Sequence, residues 1–456
     1  MDVVATAGHV DHGKSTLVRA LTGMEPDRWA EERRRGMTID LGFAWTTLPT
    51  GRTVAFVDVP GHQRFIPNML AGVGPVPTAL FVVAADEGWS QQSADHLAAL
   101  HALGVRHGLI AVTKCDRADP VSAGDRARAE LARTTLGDCP VVAVSAVTGH
   151  GLDTLRAALD AMLAALPQPR ADGRVRLWID RTFTIRGSGT VVTGTLTSGT
   201  MRAGDQLKVA GTGEIAHVRG LQSLGAPVDS AGAVARVAVN VRGVEPESLN
   251  RGQALLTPDS WLAVSEVDVR LSAAATTGTG ATVDAASLPT HLVAHIGSAA
   301  VPVRLRPLGA GHARLHLERP LPLAVGDRFV LRDPGLHSIV AGAVALDVLT
   351  LPLDRRGAAA ALGRTLTEVA DRPDLAAEVD RRGCVRTADL VRAGLASPDD
   401  TPPHGVVTAS GWWISGSHWR ACVSSLEAAV AAQSAASPLH PGLPRPAAAA
   451  PAHQPH

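Results

Sequence analysis

The chain has 456 residues, and its 43 lysines and arginines balance 43 aspartates and glutamates, so its formal net charge is zero. Hydrophobic residues make up 45% and charged residues 19%, which excludes wholesale disorder and a protein that coats nucleic acid through a global positive field. At roughly 150 residues per domain the length indicates about three domains, and the lack of tyrosine, with only 3% aromatic residues, indicates aliphatic cores.

Residues 1–168 alternate short β-branched runs with helical stretches, the pattern of a parallel α/β sheet. The predicted strands are Val3–Ala7, Thr53–Asp58, Ala79–Ala84, Gly108–Thr113 and Val141–Ser145. The predicted helices between them are Ser15–Leu21, Gln91–Leu103 and Gly124–Thr134. We therefore expect an α/β nucleotide-binding domain over 1–168.

Two β-rich segments follow. After a turn-rich linker at 167–173, residues 174–257 change to short period-2 runs separated by glycine turns, which predicts an antiparallel β-barrel. Residues 261–352 continue in the same way and predict a second barrel. Residues 174–257 contain 10 basic and 6 acidic residues, whereas 1–168 contain 15 and 18. A local basic surface on the first barrel is expected, with ordinary solvated charge as the alternative.

Beyond the second barrel, residues 354–430 turn helical. The predicted elements are the helices Ala358–Ala370, Asp374–Arg381 and Thr387–Ala393 and the strand-like Val406–Ser415. Three short helices and a hairpin predict one partial winged-helix unit, and a helical spacer is the alternative. Residues 431–456, rich in alanine and proline, are predicted to be a disordered tail.

The four cysteines include no Cys-x-x-Cys pair, so they indicate neither a metal motif nor a disulfide framework, and a reducing cytoplasm fits them. The N-terminus lacks the basic and apolar regions of a signal peptide, and no apolar run reaches the roughly 18 residues of a membrane span. We expect a cytoplasmic protein that contacts no membrane and acts as a monomer.

A phosphate-binding motif follows the first predicted strand. The run Gly8–Ser15 (GHVDHGKS) fits G-x-x-x-x-G-K-[ST] and opens a predicted helix. Its glycines let main-chain amides approach phosphate oxygens, Lys14 reaches the β- and γ-phosphates, and Ser15 ligates Mg²⁺. The predicted phosphate-binding residues are Gly8, Val10, Asp11, His12, Gly13, Lys14, Ser15, Thr16 and Gly61.

Metal-binding and catalytic residues are predicted farther along. Asp58, at the end of an apolar run, is placed to hold Mg²⁺ through water together with Ser15. Thr38, after a charge run at 31–35, is predicted to contact the metal and the γ-phosphate in a loop that orders with GTP. His62 follows a Pro-Gly bend, and we expect it to position the attacking water, with a plain surface histidine as the alternative.

Two further segments predict the base that is bound. The carboxylate of Asp116 can accept from both N1–H and the exocyclic amine of guanine, a donor pair that adenine lacks, while Lys114 lies over the ring. A main-chain amide near Ala146, after Ser145, can meet the guanine O6. Thr113 stands where the usual motif has asparagine, and its hydroxyl can still tether the phosphate loop by one hydrogen bond. We therefore expect GTP as the nucleotide.

Taken in this order, the motifs resemble those of the translational GTPases of the elongation factor Tu superfamily. Within it, the runs GHVDHGKSTL, RRGMTIDLGF and LWIDRTFTIRGSGTVVTGTL look like the selenocysteine-specific elongation factors. The resemblance covers about residues 1–353. It implies a P-loop GTPase domain, two barrels and a winged-helix arm, with GTP and Mg²⁺ as cofactors. It also implies delivery of selenocysteinyl-tRNA to a ribosome decoding UGA, with hydrolysis triggered through His62.

In that family, acidic and basic residues of the first barrel form the pocket for the aminoacyl group, and the matching positions here are Asp180, Arg181 and Arg236. A selenol is largely ionised near neutral pH and a serine hydroxyl is not, so the two guanidinium groups can select selenocysteine electrostatically. Asp180 can accept from the free α-amino group. The alternative for each residue is a salt bridge at the rim.

The C-terminal segment departs from the family, whose members end in a series of winged helices that bind a hairpin in the selenoprotein mRNA. Here there is room for one or two such units, so either the chain is truncated or frameshifted, or it has lost hairpin reading. Two other functions remain open. One is a general aminoacyl-tRNA or initiator-tRNA GTPase, and the other is a truncated GTP-binding module that sequesters tRNA without decoding.

Overall fold

The computed structural model describes residues 2–26, 38–74, 76–168, 171–187, 189–274, 283–309, 311–369, 374–437 and 442–444. They fall into two compact units, residues 1–368 and 369–456. The charge run at 31–35 and most of the predicted tail lie outside the described residues. None of the described helices combines the length and apolar character needed to cross a lipid bilayer. All four cysteines are free thiols.

The first unit opens with a six-stranded sheet. Strands β1 to β6 are Asp2–Ala7, Gly42–Thr47, Thr53–Asp58, Thr78–Ala84, His107–Thr113 and Val141–Ala143. Helices α1 to α5 are Lys14–Thr22, Ile66–Val73, Gln91–Ala102, Val121–Leu131 and Leu152–Ala164. The strand order is β2-β3-β1-β4-β5-β6, and each neighbouring pair is parallel except β2 and β3.

That exception adds one antiparallel edge strand to the predicted parallel sheet. The sequence pattern missed the edge strand β2, which pairs antiparallel with β3. The two strands are joined by a tight turn in which the amide of Leu48 donates to the carbonyl of Arg52 at 2.8 Å. A connection this short can only reverse the chain direction, whereas parallel neighbours need a long crossover.

Helices cover both faces of this sheet, because successive side chains of each strand point to opposite sides. In β1, Val3 and Ala5 belong to one buried cluster and Val4 to the other. Every residue of β4 is buried. Because β1, β3, β4 and β5 run parallel, their carboxyl ends lie at one common edge of the sheet. The loops that leave β1, β3 and β5 at this edge carry the predicted nucleotide residues.

The first barrel follows the linker. Strands β7 to β16 are Arg176–Trp178, Arg181–Ile185, Gly189–Leu196, Thr200–Arg202, Gln206–Val209, Ile215–Ser223, Ala226–Val228, Ser230–Gly232, Ala235–Arg242 and Ala254–Leu256. The order β11-β16-β7-β9-β15-β12 closes on itself through pairing of β11 with β12. Strand β8 lies on one side of β9 and β15 on the other, which brings residues near 181 and 236 to the same part of the barrel.

The second barrel is a closed ring in the order β17-β20-β19-β18-β21-β22. Its strands β17 to β22 are Leu262–Ala273, His291–Ile296, Ala299–Gly309, His312–Leu323, Arg328–Arg332 and Ile339–Asp347. Helix α6, Ala358–Thr367, packs against β19 and β20. Its Gly363 lies so close that an added Cβ would stand 1.9 Å from the carbonyl oxygen of Leu308. This packing corrects the sequence prediction that assigned the helix to the winged-helix segment at 354–430.

The second unit is built from short helices and a three-stranded sheet. Its elements are α7 Leu375–Arg382, β23 Cys384–Arg386, α8 Thr387–Arg392, β24 Val406–Ala409, β25 Trp412–Ser415 and α9 Gly416–Ala436. The sheet order β23-β25-β24 and the hairpin agree with the predicted winged-helix pattern. Helix α9 continues to Ala436, so the predicted start of disorder at 431 is corrected, because alanine-rich sequence after the Ser415 cap favours helix.

Candidate functional site

The loop between β1 and α1 folds into a cradle that requires glycine. Gly8 has φ +127, and an added Cβ would stand 2.1 Å from the carbonyl oxygen of Val82. Gly13 caps α1 with φ +79. Lys14 is 3% exposed, and its Nζ donates to the carbonyls of Gly8 at 3.0 Å and His9 at 2.7 Å. The ammonium group is thus held inside the loop, together with the amides at the start of a helix, an arrangement that suits phosphate.

Two side chains of helix α3, which the sequence did not predict, accept hydrogen bonds from main-chain amides of this loop. The Nδ1 of His96 accepts from the Gly8 amide at 3.1 Å, and the Oε1 of Gln92 accepts from the Val10 amide at 3.3 Å. Burial above all, and then the charge of Lys14, lower the pKa of His96 to about 3. A neutral ring can accept from an amide, so His96 stays in the required state at physiological pH. No local pattern marks a glutamine and a histidine four residues apart as loop supports.

The three predicted metal ligands converge. The hydroxyl of Ser15 donates to Oδ2 of Asp58 at 2.6 Å and lies 2.9 Å from the hydroxyl of Thr38. Thr6, which the sequence analysis did not identify, fixes the carboxylate by donating to its Oδ1 at 2.7 Å. Two hydroxyls and a carboxylate are the hard oxygen ligands that Mg²⁺ prefers, so the residue set fits that ion.

The Pro-Gly bend brings the chain back against the phosphate loop. A Cβ at Gly61 would stand 2.5 Å from the Nζ of Lys14 and 2.5 Å from the main chain of Val10, so this position has no room for a side chain. The next residue, His62, is exposed. Its Nδ1 accepts from the amide of Arg64 at 3.2 Å. The structure therefore brings Gly61 into the cradle and leaves the predicted catalytic histidine at the surface beside it.

At the end of β5, Thr113 makes the hydrogen bond that the sequence predicts. Its hydroxyl donates to the carbonyl of His12 at 2.7 Å, which ties the base-binding segment to the phosphate loop. Thr113 is 3% exposed, so solvent competes little with this bond. A threonine in place of asparagine thus preserves one tether.

The other predicted guanine residues lie around this strand end. Lys114 adopts a left-handed backbone with φ +56, and its Nζ contacts Glu87 at 2.6 Å and Asp86 at 3.2 Å. Asp116 is exposed, and a hydrogen bond from Ser145 is the main cause that lowers the pKa of its carboxyl. Ala146 follows Ser145 and is half-buried. The carboxylate is thus ionised and free to face solvent beside the cradle.

On the first barrel, the three predicted pocket residues also lie together. Asp180 is 6% exposed, and Arg236 binds both of its carboxylate oxygens, one of them at 2.7 Å. Thr193 donates to the same carboxylate at 2.8 Å, and the Arg236 guanidinium stacks on Phe43 at 3.9 Å. Arg181, on strand β8 at the other side of β9, lines the same cavity of about 190 Å³ as Arg236. Asp180 and Arg236 thus form a salt bridge whose carboxylate is buried in the barrel and does not lie at its rim.

Two pocket contacts come from the nucleotide-binding part. Arg181 donates from Nε to Oδ2 of Asp40 at 3.0 Å, and its Nη2 lies 2.9 Å from the same oxygen and also donates to the carbonyl of Leu41. Asp40 is two residues beyond Thr38, and Phe43 is five beyond it. Sequence spacing could not reveal these contacts, since they join residues about 140 positions apart. The barrel pocket is thereby connected directly to the segment that carries a metal ligand.

Comparison with known proteins matches three parts of the chain to family models. Residues 1–165 match the elongation factor Tu GTP binding domain, and 189–256 match elongation factor Tu domain 2. Residues 272–350 match the β-barrel domain of the selenocysteine-specific elongation factor.

Individual relatives agree. The selenocysteine-specific elongation factor of Escherichia coli K12 is 40% identical over 361 residues, which are 78% of this chain and 56% of that protein. Elongation factor Tu 2 of Streptomyces avermitilis is 31% identical over 75% of this chain and 95% of its own length. The crystal structure of a bacterial selenocysteine-specific elongation factor superposes with a TM-score of 0.85 at 26% identity, covering 96% of this chain and 74% of that one. The chain thus spans little more than half the length of the Escherichia coli relative.

Proposed function

Because this chain belongs to the elongation factor Tu superfamily of translational GTPases, in its selenocysteine-specific branch, we propose that it binds GTP and delivers selenocysteinyl-tRNA to the ribosome at UGA codons. The proposed cellular location is the cytoplasm, where ribosomes translate. The observation that carries the proposal is the ion pair between Arg181 of the barrel pocket and Asp40, two residues from Thr38. That contact lets the state of the nucleotide site control the pocket.

In the nucleotide site, the amides from Val10 to Thr16 and the ammonium of Lys14 hold the phosphates. Ser15, Thr38 and, through water, Asp58 would hold Mg²⁺, which would supply positive charge against the phosphates. Thr113, Lys114, Asp116, Ser145 and Ala146 contact guanine. His62 turns from its exposed position to orient the attacking water when the ribosome triggers hydrolysis.

In the aminoacyl pocket, a selenolate has to compete with carboxylates for the guanidinium groups of the two arginines. Both arginines already have carboxylate partners, since Arg236 pairs with Asp180 and Arg181 pairs with Asp40. The Arg236 pair is buried within the barrel, whereas Arg181 depends on a segment that orders with the nucleotide. When that segment rearranges around GTP it withdraws Asp40, and Arg181 then offers its charge to a selenolate. Serine, which stays neutral, gains nothing from this.

The test measures binding to three charged tRNAs. Wild-type chain, Arg181→Ala and the matched control Arg242→Ala, an exposed arginine of the same barrel, are titrated with selenocysteinyl-, seryl- and alanyl-tRNA in a non-hydrolysable GTP analogue. We expect the wild type and the control to prefer selenocysteinyl-tRNA and the pocket variant to lose that preference. Retained preference in Arg181→Ala would refute the pocket, and equal binding of alanyl-tRNA by the wild type would indicate a general aminoacyl-tRNA GTPase.

The proposal includes the tRNA and the ribosome but not an mRNA hairpin. The last of the three matched family models ends at residue 350, and the second unit, residues 369–456, lies beyond it. Delivery itself is tested by ribosome-stimulated GTP hydrolysis and UGA readthrough with purified components. A chain that binds selenocysteinyl-tRNA and supports neither process would be the sequestering module.

A further inference from the structure

A second group of metal-ligating side chains lies close to the phosphate loop and apart from the Ser15, Thr38 and Asp58 group. His9 precedes the short 3₁₀ turn Val10–His12, His12 is its last residue, and Glu87 follows strand β4. One ligand atom from each of the three lies within 4.8 Å of the others. The proposed contacts to nucleotide and tRNA do not include the carboxylate of Glu87 or the Nε2 atom of His12.

His12 is oriented as a metal-binding histidine is. Its Nδ1 lies 3.2 Å from the carbonyl of Val82, so this nitrogen carries the proton and donates. The Nε2 therefore presents a lone pair. It is fully buried, and among the described residues it has no hydrogen-bond partner. A backbone carbonyl that fixes one ring nitrogen so that the other can bind metal is the usual outer contact of a histidine ligand.

Glu87 supplies an anion facing that lone pair. Its Oε2 stands 3.7 Å from Nε2 of His12 and 3.8 Å from Nδ1 of His9, while its Oε1 is engaged by Lys114 at 2.6 Å. Two acceptors that face each other without a donor between them repel, so the space between them favours a cation or a bridging water.

The donor set points to one class of ion. Two imidazoles and a carboxylate suit zinc, with bonds of about 2.0–2.2 Å and a fourth position left for water. Ligand atoms around such an ion stand about 3.4 Å apart, so those of Glu87 and the histidines need to close by a few tenths of an ångström to about an ångström. Glu87 is 40% exposed and can move. His9 would exchange its long 3.3 Å bond from the Asp11 amide for the metal.

We propose that His9, His12 and Glu87 bind a divalent transition metal ion, zinc by preference, against the phosphate loop and independently of the Mg²⁺ ligands. The ion would fix both ends of the Val10–His12 turn. It would also draw Glu87 toward the loop and away from Lys114, a predicted guanine contact. Zinc occupancy is then linked to nucleotide affinity, because the same loop carries both.

The experiment uses the full chain without an affinity tag, titrated with zinc by calorimetry and with cobalt(II) by visible absorption, in millimolar Mg²⁺. Because Cys422 Sγ lies 3.4 Å from His418 in the other unit, all measurements are made in a Cys422→Ser background. Glu87→Gln, which keeps size and removes charge, and His9→Gln are compared with His150→Gln, an exposed histidine of the same sheet domain.

We expect one zinc equivalent in the background protein and in His150→Gln, with at least tenfold weaker binding in Glu87→Gln and in His9→Gln. X-ray absorption should show nitrogen and oxygen ligands only. Unchanged affinity in both Glu87→Gln and His9→Gln, sulfur ligation, or no zinc uptake would each overturn the proposal, and the last result would assign the space to water. The readouts are metal binding itself, so they stand whether or not the chain delivers tRNA.

Discussion

Replacement of Asp40 by asparagine should make the GDP-bound chain bind selenocysteinyl-tRNA more tightly. In the structure, the Asp40 carboxylate accepts from Arg181 at 3.0 Å, with a second guanidinium nitrogen at 2.9 Å. The two side chains are 19% and 25% exposed, so solvent screens their attraction only in part. Asparagine keeps the shape of the side chain and removes the charge with which a selenolate has to compete.

The expected size follows from this geometry. Opposite charges 3 Å apart attract by about 5.5 kcal/mol at an effective dielectric constant of about 20. Desolvation and side-chain ordering reduce the net value of such a pair to roughly 1.5–3 kcal/mol. Asparagine still accepts one neutral hydrogen bond, so we expect about half of the larger figure to be regained, or about 1.4 kcal/mol, which is tenfold in affinity.

The assay is equilibrium binding of selenocysteinyl-tRNA and seryl-tRNA in GDP and in a GTP analogue. In GDP, the variant should bind selenocysteinyl-tRNA about tenfold better and seryl-tRNA no better. In the analogue, variant and wild type should agree, because Asp40 is then already withdrawn. The control is Asp138→Asn, which removes the same charge from an exposed pair with Arg128.

Two results would refute this reasoning. If the variant gains nothing for selenocysteinyl-tRNA in GDP, Asp40 does not compete with the aminoacyl group. If seryl-tRNA gains equally, the substitution has merely loosened the contact between barrel and sheet, and charge is not what the pocket selects.

Three further predictions concern the nucleotide cradle. Thr113→Val should weaken GDP binding about fivefold by leaving the His12 carbonyl unpaired, whereas Thr113→Asn should match or exceed wild type in the same titration; equal affinity of all three would show that the tether is idle. Gly61→Ala places a Cβ 2.5 Å from the main chain of Val10, so GDP affinity should fall by about 1–3 kcal/mol, and normal affinity would show that the bend relaxes freely. Burial above all lowers the pKa of His96 to about 3, whereas the value in the unfolded chain is about 6.5. Between these two values the unfolded state binds more protons than the folded state. The contribution of His96 to stability is therefore fully present above pH 6.5 and is lost as the pH falls. His96→Gln should therefore flatten the decline of the free energy of unfolding, measured by urea titration between pH 6.5 and 4.5, by up to about 1.4 kcal/mol per pH unit, and an unchanged slope would place the titration elsewhere.

Much of the nucleotide site follows from the sequence because its chemistry is local. The run from Gly8 to Ser15 contains its own turn, its own donors and the start of its helix, so spacing alone predicts phosphate binding. Strand ends that follow one another in an α/β pattern must meet at one edge, which is why Asp58 and Thr113 could be placed near the loop before any contact was known.

Contacts between residues far apart in the chain could not be predicted from the sequence. Nothing near His96 or Gln92 marks them as supports of the phosphate loop, and nothing near Asp40 shows that it pairs with Arg181. The antiparallel edge strand and the packing of helix α6 on the second barrel were missed for the same reason, since a short amphipathic segment is compatible with several partners until the whole chain is folded.

The sequence alone therefore predicted the nucleotide chemistry and indicated the family, because both depend on residue type at fixed spacing. Only the tertiary structure decided which carboxylates face the two arginines, and that His12 turns toward Glu87 a nitrogen with no hydrogen-bond partner in the described part of the chain. Charge partners are set by distance in space, and distances between residues far apart in the chain are fixed only when the cores close around them.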